Sequence, residues 1–245
     1  MSHAQNASPR WTLPLRSLPS VRRASVRACH NDEVETELVP TLRGIFHLWA
    51  LVAAVVAGIV LVVLADGALA TASSWIYAVA LAAMFGASAL YHRFPWRSAG
   101  RRLWARRLDH STIFVFIAAT YTPFALLRFE GATRWIVLVL AWSGALLGLA
   151  VELVWIESPR WLKALAYMAV GWVGVLAAPQ LFSAVGIAGA VLLLVGGCLY
   201  TVGAVVYATR WPDPFPRTLG FHEVFHLLVV AAAVTQFVAV SLVVT

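Results

Sequence analysis

Charge is what this chain has least of. Asp, Glu, Lys and Arg make up 12% of its 245 residues, about half the share of an ordinary soluble domain. That scarcity excludes a solvated surface over most of the length. Cysteine is equally scarce. Cys29, in the N-terminal arm, and Cys198, in an apolar run, share no disulfide-like or metal-like spacing, so both read as structural or incidental. No acid precedes Asp32, and residues 1 to 43 contain no apolar run of signal-peptide length, so no cleavable secretory signal is expected. Nor does any apolar run alternate like a barrel strand, which excludes a membrane β-barrel. The net charge of +7 does not call for nucleic acid, because the arginines flank apolar runs, where membrane orientation places them.

What is there is apolar: 61% of the chain. Seven runs reach spanning length, about 20 residues being needed for a hydrocarbon core of about 30 Å. They cover residues 45 to 65, 73 to 92, 110 to 128, 134 to 154, 162 to 179, 185 to 208 and 221 to 243. Each is expected to be a helix, since only helices and closed barrels satisfy their backbone in lipid. The predicted fold is therefore all-α, a polytopic bundle of seven transmembrane helices over residues 43–245, preceded by a basic arm over residues 1–42. The arm reads either as a mobile cytoplasmic segment drawn to anionic headgroups or as an organellar transit peptide. Of the 18 Lys and Arg residues, all but Arg128 and Arg134 fall on one side of this topology, which sets the N-terminus inside and the C-terminus outside. Gly144 and Gly148, Gly171 and Gly174, and Gly196, Gly197 and Gly203 recur at spacings that allow helix backbones to approach closely. Trp75, Trp104, Trp135, Trp161 and Trp211 near run ends read as interfacial anchors.

On that topology the rare polar groups gather at the inner end. His222 and His226, four residues apart in Phe221-His222-Glu223-Val224-Phe225-His226, face one side of the last helix about one turn apart, a geometry that suits a metal ion. His92 ends the second helix, with Ser88 one turn before it, while Asp109 and His110 open the third and His47 opens the first. Ionisable groups at membrane depth are costly and mark function. The imidazoles of His92, His222 and His226 would leave one position of a tetrahedral ion open, as in catalytic zinc sites, although imidazole also suits copper, iron and nickel. Asp109 is assigned to an attacking water, as general base or orienter, with Ser88 supporting it. An ion pair between Asp109 and a neighbouring arginine is the competing reading. His110 and His47 read as packing or interfacial residues, Glu223 as a solvated acid at a helix start, and Glu152 has no assigned role.

Several segments carry a resemblance: Arg43 to His47, Ser88 to His92, Leu108 to His110, Ala119 to Phe124, Gly171-Trp172, Gly196 to Gly203, and His222 to His226. In this order they resemble the motifs of the bacterial hemolysin III family, itself related to the progestin and adipoQ receptors and more remotely to alkaline ceramidases. The likeness runs over residues 43 to 243. Ala119, where many members carry Gly, is a departure that touches only local packing. The resemblance implies a seven-helix fold with zinc near the cytoplasmic face, held by His92, His222 and His226, with Ser88 and Asp109 holding the water, and hydrolysis of a lipid amide such as a ceramide.

Three functions follow as expectations. The first is zinc-dependent hydrolysis of a lipid amide or ester, with the acyl chain or a fatty acid inside the bundle. The second is a pore-forming or hemolytic protein, against which no helix shows a continuous polar stripe. The third is a regulator of membrane lipid state in which zinc is structural. Membrane lipids are the expected partners, and a bacterial plasma membrane the expected location.

Overall fold

The computed structural model describes residues 40–245, with the side chains of residues 179 and 181 left aside. Its elements are α1 (Ile45–Leu64), α2 (Ala68–Arg93), α3 (Ala99–Leu127), α4 (Gly131–Val154), α5 (Arg160–Gly171), a 3₁₀ turn (Val173–Ala177), α6 (Ala178–Thr209) and α7 (Phe221–Val244). Of the seven α-helices, all but α5 are long and apolar enough to span a bilayer, α6 over Phe182–Thr209. Consecutive helices pack side by side from α1 to α4, and α6 packs along α7. α7 also touches α1, α2 and α3, which makes it the helix on which the bundle closes.

The surface is apolar as the medium requires: Val63, Val154 and Ile187 are exposed, whereas the interior is built from small residues such as Ala118, Ala119, Ala141, Ala232 and Ala239. In lipid, association rests on close packing more than on removing oil from water, so small residues at the seams let backbones approach. A Cβ added at Gly148 would lie 2.5 Å from the Phe114 ring, and one at Gly58 would lie 2.8 Å from the Ala78 Cβ. Gly144 and Gly174 are similarly close to Val170 and Tyr121, as their spacing suggested. Gly171 faces open space instead and lines a cavity.

The fifth and sixth runs depart from expectation. Residues 162 to 179 do not form one helix: α5 stops after 12 residues at Gly171, and a 3₁₀ turn leads into α6. α6 is itself interrupted at Gly186, whose φ of 68° and ψ of 176° lie outside the helical region. Two glycines and a Tyr121 side chain explain the break at Gly171. The Tyr121 hydroxyl donates to the Gly171 carbonyl and accepts the Gly174 N–H, doing for the backbone what a continued helix would have done. The basic arm expected over residues 1–42 lies, as far as residue 39, outside the described residues. Beyond it, Thr41 and Leu42 donate backbone N–H groups to the carbonyls of Arg217 and Thr218, at 3.1 and 3.3 Å, and so tie the entry of α1 to the α6–α7 loop.

Candidate metal centre

Two helix ends supply the three histidines, the last turn of α2 and the first turns of α7, while Asp109 comes from inside α3. At the start of α7, Glu223 accepts the Gly220 N–H at 2.9 Å and Asp213 accepts the Phe221 N–H at 2.8 Å, which answers two donors that a helix start leaves free. The other oxygen of Glu223 takes the Arg43 guanidinium at 2.5 Å. Glu223 is thus buried in an ion pair and is not a solvated acid. Its neighbour is the entry to α1 rather than water. Gly44, at φ 75°, makes that entry possible, since a Cβ there would sit 2.6 Å from the Cβ of His92.

With α7 so held, His222 and His226 meet His92 from the end of α2. The Nε2 atoms of His92 and His222 are 3.1 Å apart, and one ligand nitrogen from each of His92, His222 and His226 lies within 4.8 Å of the others. Two ligand nitrogens about 2.0–2.1 Å from a tetrahedral ion stand roughly 3.3 Å apart, so the closest pair already has the spacing a shared cation needs. The Nδ1 of His226 is buried with no hydrogen-bond partner. The donor set therefore fits a metal ion, with imidazole as the ligand type.

The carboxylate of Asp109 is 3.6 Å from His92 Nε2. No arginine pairs with it among the described residues: Arg106 goes to Glu157 at 2.8 Å, and Arg102 and Arg107 lie over the rings of Tyr91 and Trp104. Of the two readings of Asp109, the arginine ion pair is not seen among the described residues, and the carboxylate stands beside His92 instead. Ser88 is buried, and its hydroxyl has no partner of normal geometry. Ser88, Asp109, His222 and His226 all lie on the wall of one cavity of about 330 Å³. Beyond them that wall is largely apolar, with Phe116, Ile117, Phe124, Val175, Leu193 and Val229 among its residues.

Two histidines have roles that spacing along the chain did not reveal. His47 stacks on His226 with ring centroids 3.8 Å apart and planes 11° apart, and its edge contact with Phe85 completes a brace for the ligand ring. It does not join the three-nitrogen group. His110 belongs to a second network: Lys163 Nζ reaches Glu152 at 2.8 Å, the Ile156 carbonyl at 2.7 Å and His110 Nδ1 at 3.1 Å. Lys163 and Glu152 are almost wholly buried. A signal existed for this pair, two opposite charges at the same end of neighbouring apolar runs, but nothing in the sequence said that they meet.

Comparison with known proteins gives a consistent assignment. The family described as Haemolysin-III related matches residues 36–237. The chain is 31% identical over 165 residues to the Hemolysin-3 homolog of Bacillus subtilis (strain 168), covering 67% of this chain and 74% of that protein. It is 35% identical over 136 residues to Hemolysin-3 of Bacillus cereus, covering 54% and 58%. With the human Monocyte to macrophage differentiation factor the identity is 26% over 201 residues, 79% of each chain. A bundle of apolar helices matched over most of its length in this way is a multi-pass membrane protein, and the chain belongs to the haemolysin-III related family.

Proposed function

We propose that this protein is a zinc-dependent hydrolase of a lipid amide or ester, ceramide-like in class, acting from the cytoplasmic side of a bacterial plasma membrane. The observation that carries the reading is the convergence of His92, His222 and His226 beside Asp109 at the polar end of a largely apolar cavity. Zinc, when bound by the three histidines, would supply Lewis acidity that polarises a carbonyl and acidifies water to near neutrality. Asp109 takes the proton of the attacking water and returns it to the leaving nitrogen or oxygen. Ser88, whose hydroxyl lies beside the Asp109 carboxylate without a hydrogen bond of normal geometry, donates a hydrogen bond that orients the water. The wall of Phe116, Phe124 and Val229 holds the acyl chain and keeps bulk water from the carbonyl. Orientation is inferred from the arginines, which crowd the same end as the histidines. On this reading α5, the 3₁₀ turn and the first turns of α6 together make one crossing, and Gly186 ends it.

Elemental analysis of the purified protein, wild type against His226→Ala, joined to hydrolysis assays on ceramide and acyl-amide lipids, tests the proposal. About one zinc per chain in the wild type, strongly reduced in the variant, with hydrolysis lost in parallel and in Asp109→Asn, is the expected result. Metal-replete protein that cleaves none of these lipids while a ceramidase control works would reject it. The relatives named Hemolysin-3 favour a second reading, membrane lysis, and dye release from liposomes that survives replacement of all three histidines by alanine would select it.

A further inference from the structure

The cavity has a second polar place, far from the histidines, that hydrolysis of a plain acyl lipid would leave unused. Among its wall hydroxyls, Thr120 donates to the Phe116 carbonyl, Tyr121 to that of Gly171, Tyr167 to that of His110 and Thr201 to that of Gly197. Tyr200 has no such partner: its hydroxyl is buried and unpaired. It sits on α6 seven residues, about 10 Å, before Tyr207, whose ring lies 6.4 Å from that of His222. Across the α6–α7 seam, Gln236 also lines the cavity while almost wholly buried. Its amide lies against Gly196, where an added Cβ would stand 2.4 Å from Gln236 Nε2, and Gly196 is one turn before Tyr200 on the same face of α6. Gln236 lies ten residues, about 15 Å, beyond His226 on α7. Its amide nitrogen donates to the Leu193 carbonyl at 3.2 Å, which fixes the amide orientation and leaves Oε1 as an acceptor. The Tyr77 hydroxyl, its ring 6.2 Å from that of Phe237, is likewise buried and unpaired. A buried, unpaired hydroxyl keeps its desolvation penalty, and hydrocarbon surroundings offer it no substitute partner.

We infer that Tyr200 and Gln236 form a binding station for a hydroxyl carried partway along a lipid's hydrocarbon chain. The inference rests on the reading of the cavity as an acyl-chain site. A ligand hydroxyl accepts from Tyr200 and donates to Gln236 Oε1, so both groups are satisfied at once, whereas a methylene leaves both unpaired. A site made to pair a hydroxyl discriminates against the analogue that lacks it. The chemical class is therefore a hydroxylated long-chain acyl lipid.

The test is binding of ricinoleate, which carries a mid-chain hydroxyl, against oleate, to the full-length protein in lipid nanodiscs, with the wild type, Tyr200→Phe and Gln236→Leu. The wild type should prefer ricinoleate by about tenfold, the value of one to two net hydrogen bonds. That preference should fall to near unity in Tyr200→Phe while the affinity for oleate stays unchanged. Tyr200→Phe removes an unpaired hydroxyl and nothing else, so its melting temperature should not fall, which keeps the comparison free of a folding defect. Equal preference in wild type and Tyr200→Phe, with both acids bound, overturns the inference and leaves the acyl-chain reading standing. Binding of neither acid removes that reading and the inference with it.

Discussion

At the scale of single residues, buried charge away from the three histidines is held by pairing rather than by water. Lys163, Glu152 and His110 are the clearest case, because a lone charge among them would face an apolar interior. Lys163→Met strands the Glu152 carboxylate and should cost about 3–5 kcal/mol. The measurement is a thermal or denaturant midpoint in detergent, and Lys163→Met combined with Glu152→Leu should recover most of the loss. The histidines show what the sequence could and could not disclose at this scale. Spacing alone put His222 and His226 on one face, and topology brought His92 to their level. The stacking of His47 on His226 depends on how α1 rotates against α7, which no local pattern encodes. For Glu223 the sequence suggested a solvated acid at a helix start. It could not tell that Arg43, 180 residues earlier, would be waiting there.

At the scale of elements, the long apolar runs were legible because lipid leaves a helix few alternatives, and all but the fifth fall, within a residue or so, on helices long and apolar enough to span, the sixth starting at the Gly186 interruption. The failure at the fifth has a local cause. Gly171 and Gly174 were read as packing residues, and only Gly174 is one; Gly171 sits at the break, where Tyr121 from α3 answers the freed backbone groups. The distinction between packing and non-packing glycines can be tested directly. Gly148→Val drives a side chain into the Phe114 ring, and such overpacking should lower stability by about 1–3 kcal/mol, measured as a drop in melting temperature with α4 loosened from α3. Gly171→Ala meets no atom within 4 Å, and should leave the melting temperature nearly unchanged.

At the scale of the whole molecule, the polar end and the arginine-bearing end coincide, and that gives the orientation a simple check. In a background with Cys29 and Cys198 replaced, Ala132→Cys in the first turn of α4 should react with a membrane-impermeant maleimide added outside intact cells. Ala99→Cys at the start of the arginine-rich first turns of α3 should react only after the membrane is opened. The reverse pattern would invert the topology and put the histidines on the outer face. The tie between the entry of α1 and the loop before α7 has a consequence for biogenesis. Arg43 and His47 leave the ribosome early, yet the partners that neutralise one and stack on the other belong to α7, 180 residues later for the Arg43 pair. A nascent chain halted before α7 would therefore carry an uncompensated guanidinium and His92 without the two histidines that meet it. On the proposed reading, metal could be loaded only once α7 has been made.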